Sequence, residues 1–149
     1  MKTRFFYSLL FLGTLFAQAQ VSKNDIEGLW LNDDASTVIN IYEEDGTYYG
    51  RIHEILKFPE EDTKDFSAAQ LEKGKKKMQG RLILTDLSYK NGEWVNGRIL
   101  NPKDGSTRAK CTLSLGDDQQ LLNIKVKRGL LSATKNWSRY EKSMVTNEN

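Results

Sequence analysis

Between Gly80 and Glu141 turn signals recur at nearly regular intervals, and that rhythm restricts the fold more than any other feature of the chain. Asn91-Gly92, Asp104-Gly105, Gly116-Asp117-Asp118 and Arg128-Gly129 separate five segments of strand length: Leu82–Tyr89, Trp94–Leu100, Thr107–Leu115, Leu121–Lys127 and Leu131–Tyr140. Asn-Gly and Asp-Gly suit two-residue hairpins because both central positions of a type I′ turn have positive φ, which Gly, Asn and Asp tolerate. The stretch reads as one antiparallel meander.

Three further strands precede it. Gly28–Leu31 opens the first, Asp33-Asp34 turns it, and Ser36–Glu43 follows with the β-branched residues Thr37, Val38, Ile39 and Ile41. Glu44-Asp45-Gly46 is a hairpin turn into Thr47–Leu56. The pattern breaks at Lys57. A Pro, a run of acids and a run of lysines lead through Ser67–Met78, where Ser67 can cap a short helix. A connection of that length is often a lid or a mobile segment, and its acids and lysines balance one another.

Eight strands joined almost wholly by tight turns favour an up-and-down order, since Greek keys need long crossings. Left open, such a sheet would expose two edges; closure removes them. The expected fold is therefore all-β: an eight-stranded antiparallel up-and-down barrel with a long loop or short helix between strands 3 and 4. Eight strands enclose room for packed side chains or one small ligand. Alternation supports an inside and an outside. Leu122, Ile124 and Val126 alternate with Asn123, Lys125 and Lys127; Ala109, Cys111, Leu113 and Leu115 alternate with Arg108, Lys110, Thr112 and Ser114. The fourth and fifth strands alternate less cleanly.

The N-terminus reads as an export signal. Lys2 and Arg4 precede the apolar run Phe5–Phe16, and Ala17-Gln18-Ala19 offers a small-x-small cleavage pattern. Residues 1–19 are expected to be a cleaved signal peptide, 20–142 a single barrel domain and 143–149 a polar tail. The run is too short to span about 30 Å of hydrocarbon, and no other stretch could cross a bilayer as a helix. The expected destination is the periplasm or the medium.

Composition excludes several functions. Lys and Arg number 22 against 20 acids, so no concentrated basic character points to nucleic acid. The single Cys111 allows no intrachain disulfide and reads as a buried apolar residue. His53 is the only histidine, without zinc-ligand spacing around it, so neither a metal nor a cofactor is expected. Paired carboxylates sit in turns, and no phosphate loop or serine elbow is present. The chain is not expected to be an enzyme.

Several short motifs together resemble a bacterial exported family known as domain of unknown function 2147. They are Gly28-Leu29-Trp30, Gly50-Arg51-Ile52, Gly80, Gly97-Arg98-Ile99 with Asn101-Pro102-Lys103-Asp104-Gly105, and Trp137-Ser138-Arg139. The resemblance covers about Ile26 to Tyr140 and implies the barrel but no chemistry. The family's turn with Asn-Pro-Asp is here Asp65-Phe66-Ser67. A looser likeness is to lipocalins and other calycins, which open with Gly-x-Trp and carry a late Arg over that Trp. It implies a barrel-closing role for Gly28, Trp30, Trp137 and Arg139.

The candidate ligand-binding set is aromatic and cationic: Tyr42, Tyr48, Tyr49, Arg51, His53, Trp94 and Arg98. Pointed inward, these residues would furnish an apolar pocket with a few polar anchors, and an inward Arg would favour a carboxylate. The function expected is binding of a small apolar or amphipathic ligand, lipid or fatty-acid-like. The alternative is an envelope or surface module that docks a protein partner without a ligand.

Overall fold

Each turn dipeptide delimits a strand. The computed structural model describes residues 20–141, so the expected leader 1–19 and the expected tail 143–149 lie outside the described residues. The strands are β1 (Gly28–Leu31), β2 (Thr37–Glu44), β3 (Thr47–Ile55), β4 (Leu82–Lys90), β5 (Glu93–Leu100), β6 (Thr107–Leu115), β7 (Leu121–Arg128) and β8 (Leu131–Arg139). Each pairs antiparallel with the next, and β1 pairs with β8, so the sheet closes into a barrel in up-and-down order. Asp45 and Gly46 (φ 52° and 80°) and Asn91 and Gly92 (φ 50° and 84°) make the type I′ geometry that their sequence calls for.

Between β3 and β4 runs a 3-10 turn, Glu60–Asp62, and then helix α1 (Ala68–Met78). Ser67 caps α1 with a full capping box: Gln70 donates its backbone N–H to the Ser67 hydroxyl, and the Ser67 N–H reaches the Gln70 side chain. No residue of α1 is fully buried, so the helix rests on the barrel without joining its core.

In β6 and β7 the alternation holds: Cys111, Leu113, Leu122 and Ile124 are buried while Lys110 and Lys125 are exposed. In β3, β4 and β5 it slips. The β2–β3 register shifts between Val38 and Ile39, and Ile52 and Ile55, three apart, both face inward. Asp86 and Asn96 adopt left-handed φ of 61° and 62° inside β4 and β5, and the ladders of those strands shift register. Inward positions there are again three apart: Leu84 with Leu87, and Trp94 with Gly97. A bulge adds one residue and reverses which face the following side chains take.

Two glycines make room for the displaced leucines. A Cβ on Gly97 would stand 2.3 Å from Leu87 Cδ2 and 2.8 Å from Cys111 Sγ; one on Gly50 would stand 3.0 Å from Leu84 Cβ. Leu84 and Leu87 thus fill the waist of the barrel by lying across bare backbone.

One end of the barrel is sealed. Trp30, Tyr48 and Trp94 are buried there, with Trp94 edge-on to Tyr48 at 6.2 Å. The segment before β1 plugs this end: Ile26 is fully buried, Trp30 Nε1 donates to Ile26 O (2.8 Å), and the Tyr89 hydroxyl donates to Val21 O (2.6 Å). Arg139 crosses the plug, its guanidinium donating to Glu27 O (2.8 Å) and Asp25 O (2.6 Å) while lying 3.8 Å from the centre of the Trp30 ring.

Candidate functional site: an apolar cavity at the open end

The opposite end of the barrel carries the β1–β2, β5–β6 and β7–β8 connections and the α1 crossing. Inward side chains change character here, from indoles and phenols to β-branched residues and alanine, which leave space at the axis. The result is a cavity of about 460 Å³. Ile39, Ile52, Ile99, Ala109, Ile124 and Val126 form its walls, and one face of Trp137 completes them. Asp33, Arg108, Arg128 and Lys135 stand at its rim.

Where the rim is polar, hydrogen bonds tie its loops together. Asn32 Oδ1 accepts from the backbone N–H groups of Ser36 and Thr37 (both 2.9 Å), fixing the β1–β2 loop. Ser36 O accepts from Leu56 N at 2.8 Å, which ties that loop to the start of the α1 crossing. Arg81 locks the other side: Nη1 donates to Pro102 O (2.7 Å) and Lys103 O (2.9 Å), and Nε to Lys77 O (3.2 Å). The C-terminal turn of α1 is thereby fastened to the β5–β6 turn.

Beneath α1 lies a second, wider recess of about 720 Å³, walled by Ile55, Phe58, Phe66, Leu71 and Met78, with Lys57, Lys77 and Lys103 at its border. Thr37, Ile52 and Pro102 line both spaces, so the two adjoin at the mouth.

The charge at the mouth is mainly positive. Lys135 donates to Asp33 at 2.9 Å, which neutralises that acid. Among the described residues the other ion pairs are Lys75 with Glu72 and Arg98 with Asp86, so neither Arg108 nor Arg128 is in an ion pair, although the Asp104 carboxylate lies near enough to Arg108 to feel its charge.

The aromatic and cationic set singled out from sequence lies elsewhere, and none of its seven residues lines the cavity. Tyr42, Tyr49 and Arg51 form a cluster on the outer face: the two rings stack at 5.8 Å, and Arg51 Nε donates to the Tyr42 hydroxyl at 2.6 Å. His53 is exposed on the same side of β3. Arg98 is outside too, paired with Asp86; the Asn96 bulge turns it away from the interior that Trp94 occupies. Tyr48 and Trp94 do point inward, but into the sealed end, where burial pushes the Tyr48 phenol above its ordinary range. Of the barrel-closing set, Gly28 (φ 119°), Trp30 and Arg139 meet at the β1–β8 joint. Trp137 instead belongs to the cavity wall.

Nothing at the site assembles a nucleophile. Cys111 is buried, its thiol pushed up to about 12 by desolvation, while His53 faces solvent from another strand. No group of three or more His, Cys, Asp or Glu side chains converges on a metal position among the described residues.

The wall residues were partly legible. Ala109, Ile124 and Val126 follow from alternation in β6 and β7. What sequence reasoning missed is the change from aromatic to branched or small residues along the inward rows, which marks where the barrel is filled and where it is hollow.

Residues 28–139 match the family described as "Uncharacterized protein conserved in bacteria (DUF2147)". The chain belongs to this family. For this DUF2147 protein no curated protein gives a match. A solved structure does resemble it: a protein of the human pathogen Helicobacter pylori described as belonging to the lipocalin family, with a TM-score of 0.56 and 17% sequence identity. The likeness covers 78% of this chain and 84% of that one and concerns the fold. Within the DUF2147 barrel, the Trp30–Arg139 stack stands where the lipocalin resemblance placed it.

Proposed function

We propose that this protein is a carrier for a small amphipathic molecule, lipid or fatty-acid-like, and not an enzyme. The apolar part would occupy the barrel cavity, and a carboxylate or other anionic head would meet Arg108 and Arg128 at the rim. The observation that carries this reading is the pairing of a branched, apolar interior with an unpaired cationic mouth. A volume of about 460 Å³ falls within the ~300–1,000 Å³ of small-ligand sites.

Magnitudes divide the work between tail and head. Each buried methylene contributes about 0.8 kcal/mol, whereas an exposed ion pair contributes about 0.2–1 kcal/mol. The tail would supply the affinity and the arginines the orientation. The lipocalin-like fold of the neighbour fits a container of this kind. The signal-like segment Lys2–Ala19 supports a carrier that meets its ligand outside the cytoplasm.

The test is titration with a fluorescent fatty-acid analogue, paired with native mass spectrometry of the purified protein. Saturable one-to-one binding, displaced by an unlabelled long-chain fatty acid, is expected. Arg108→Ala with Arg128→Ala should weaken the acid and leave the matching fatty alcohol unaffected. Absence of saturable binding, with only the bare chain in the mass spectrum, overturns the reading.

A further inference from the structure

The β7–β8 hairpin ends in two leucines that touch almost nothing. Leu130 is 104% and Leu131 77% exposed, the highest values among the exposed large hydrophobic residues described. Arg128 pairs with Leu131, so Gly129-Leu130 is the two-residue tip, and Gly129 takes the positive φ (60°) that such a turn needs. A polar residue would serve the turn equally well. The leucines therefore contribute nothing to the fold that accounts for them, and being adjacent at the tip they form one contiguous exposed apolar patch, the kind of feature that marks a contact surface when polar residues rim it.

The surface around the tip is cationic. From Thr107 to Lys135 the chain holds Arg108, Lys110, Lys125, Lys127, Arg128 and Lys135. The acids in that span, Asp117 and Asp118, lie in the β6–β7 turn at the sealed end. Lys110 and Lys127 are exposed and directly opposite each other across the β6–β7 ladder. Like charges in that position oppose folding, so an anionic surface against this face would relieve their repulsion. At the margin Asp33 is taken up by Lys135, and Asp104 sits in the neighbouring β5–β6 turn beside Arg108.

We infer that this hairpin docks the protein on an anionic lipid surface: Leu130 and Leu131 enter the interfacial region, and the β6–β8 cations face the headgroups. An apolar tip ringed by Lys and Arg is the pattern of an interfacial anchor, in which apolar insertion and headgroup attraction act together. A second copy fits less well, because a two-fold contact through this face would set the cationic apron against itself. Nucleic acid would leave the leucines without a role. Arg128 both borders the cavity and precedes the tip, so docking there brings the mouth of the barrel to the lipid. The inference goes beyond the carrier reading and is measured without it, since vesicle binding needs no cavity ligand.

The experiment is co-sedimentation of the purified protein with phosphatidylcholine vesicles, with and without phosphatidylglycerol. Binding to the anionic vesicles alone is expected. Leu130→Ser with Leu131→Ser, or Lys110→Glu with Lys127→Glu, should each lower partitioning by about tenfold, and so should 1 M salt, where the screening length shrinks to about 3 Å. A Leu130→Cys variant labelled with an environment-sensitive fluorophore gives a second reading, Cys111 being buried. Its emission should shift to the blue with anionic vesicles only. Equal binding to both vesicle types, no binding to either, or undiminished binding by the leucine variant overturns the inference. So does a concentration-dependent dimer that the leucine variant abolishes.

Discussion

The Arg139 guanidinium lies 3.8 Å from the centre of the Trp30 ring, and the two residues are register partners across the joint between the last strand and the first. The same guanidinium donates to two carbonyls of the plug, Asp25 O and Glu27 O. Burial lowers its affinity for a proton, and the Asp25 carboxylate works against that. One side chain thus fastens both the joint and the seal.

Arg139→Ala is expected to destabilise the fold by about 2–4 kcal/mol, since it removes a cation–π contact of about 0.5–2 kcal/mol together with two charge-assisted hydrogen bonds. Arg139→Lys should fall between, because an ammonium keeps the charge but not the planar fork. Urea denaturation followed by tryptophan fluorescence orders the three proteins. Equal midpoints for Arg139→Ala and the parent would remove the residue from the closure of the barrel.

At the waist, Gly97→Ala should cost more than Gly50→Ala, because the added methyl would sit 2.3 Å from Leu87 in the first case and 3.0 Å from Leu84 in the second. Overpacking of this kind typically costs about 1–3 kcal/mol. Pairing Gly97→Ala with Leu87→Ala should recover part of the loss. Thermal melts of the two single variants and the double variant decide it, and the reverse order would mean that the bulged strands relax.

Ala109 is the smallest side chain on the cavity wall. Ala109→Trp should fill the space and reduce uptake of the fluorescent fatty-acid analogue to background, with a far-UV spectrum matching the parent. Titration alongside Thr112→Trp, on the outward face of the same strand, separates occupation of the cavity from a general effect of a large residue. Undiminished uptake by Ala109→Trp would place the ligand elsewhere.

Stability should decline in acid through two turn aspartates. The Ser36 hydroxyl and backbone N–H hold Asp34 below its ordinary value, and Ser106 does the same for Asp104. A carboxyl whose folded value is depressed stabilises the fold above its unfolded value, near pH 4, and the gain is lost as pH falls through the folded value. Urea midpoints measured downward from pH 5 should therefore drop. Asp34→Asn with Asp104→Asn should flatten that slope while leaving the hydrogen-bond geometry nearly intact.

Turn chemistry made the architecture legible. Asn91-Gly92 and Asp45-Gly46 could hardly be anything but tight reversals, and eight segments between such reversals leave few alternatives to closure. Gly28, Trp30 and Arg139 were readable through the likeness to lipocalins, which open with Gly-x-Trp and carry a late Arg. The cavity was not, because strand parity counts residues and a bulge changes the count. Counting by twos from Trp94 puts Arg98 inside; the left-handed Asn96 moves it outside and brings Gly97 and Ile99 in. Likewise His53 and Ile55 share parity on paper, but the shift near the end of β3 leaves one exposed and the other buried. Asn96 does precede Gly97, an Asn-Gly pair inside a strand that could have flagged the bulge in β5, whereas Asp86, between Thr85 and Leu87, has no such neighbour.

β1 spans four residues, and only Trp30 and Leu31 meet β8, whereas β7 and β8 are laddered from Leu121 to Arg128. Beside the mouth the ladder is consequently interrupted: along Leu131–Trp137 the last strand has no backbone partner from β1, and Lys135 with Asp33 is the ion pair that joins the two sides among the described residues. The seam of the barrel is thus stitched by backbone pairing at one end and by a single solvent-washed charge pair at the other.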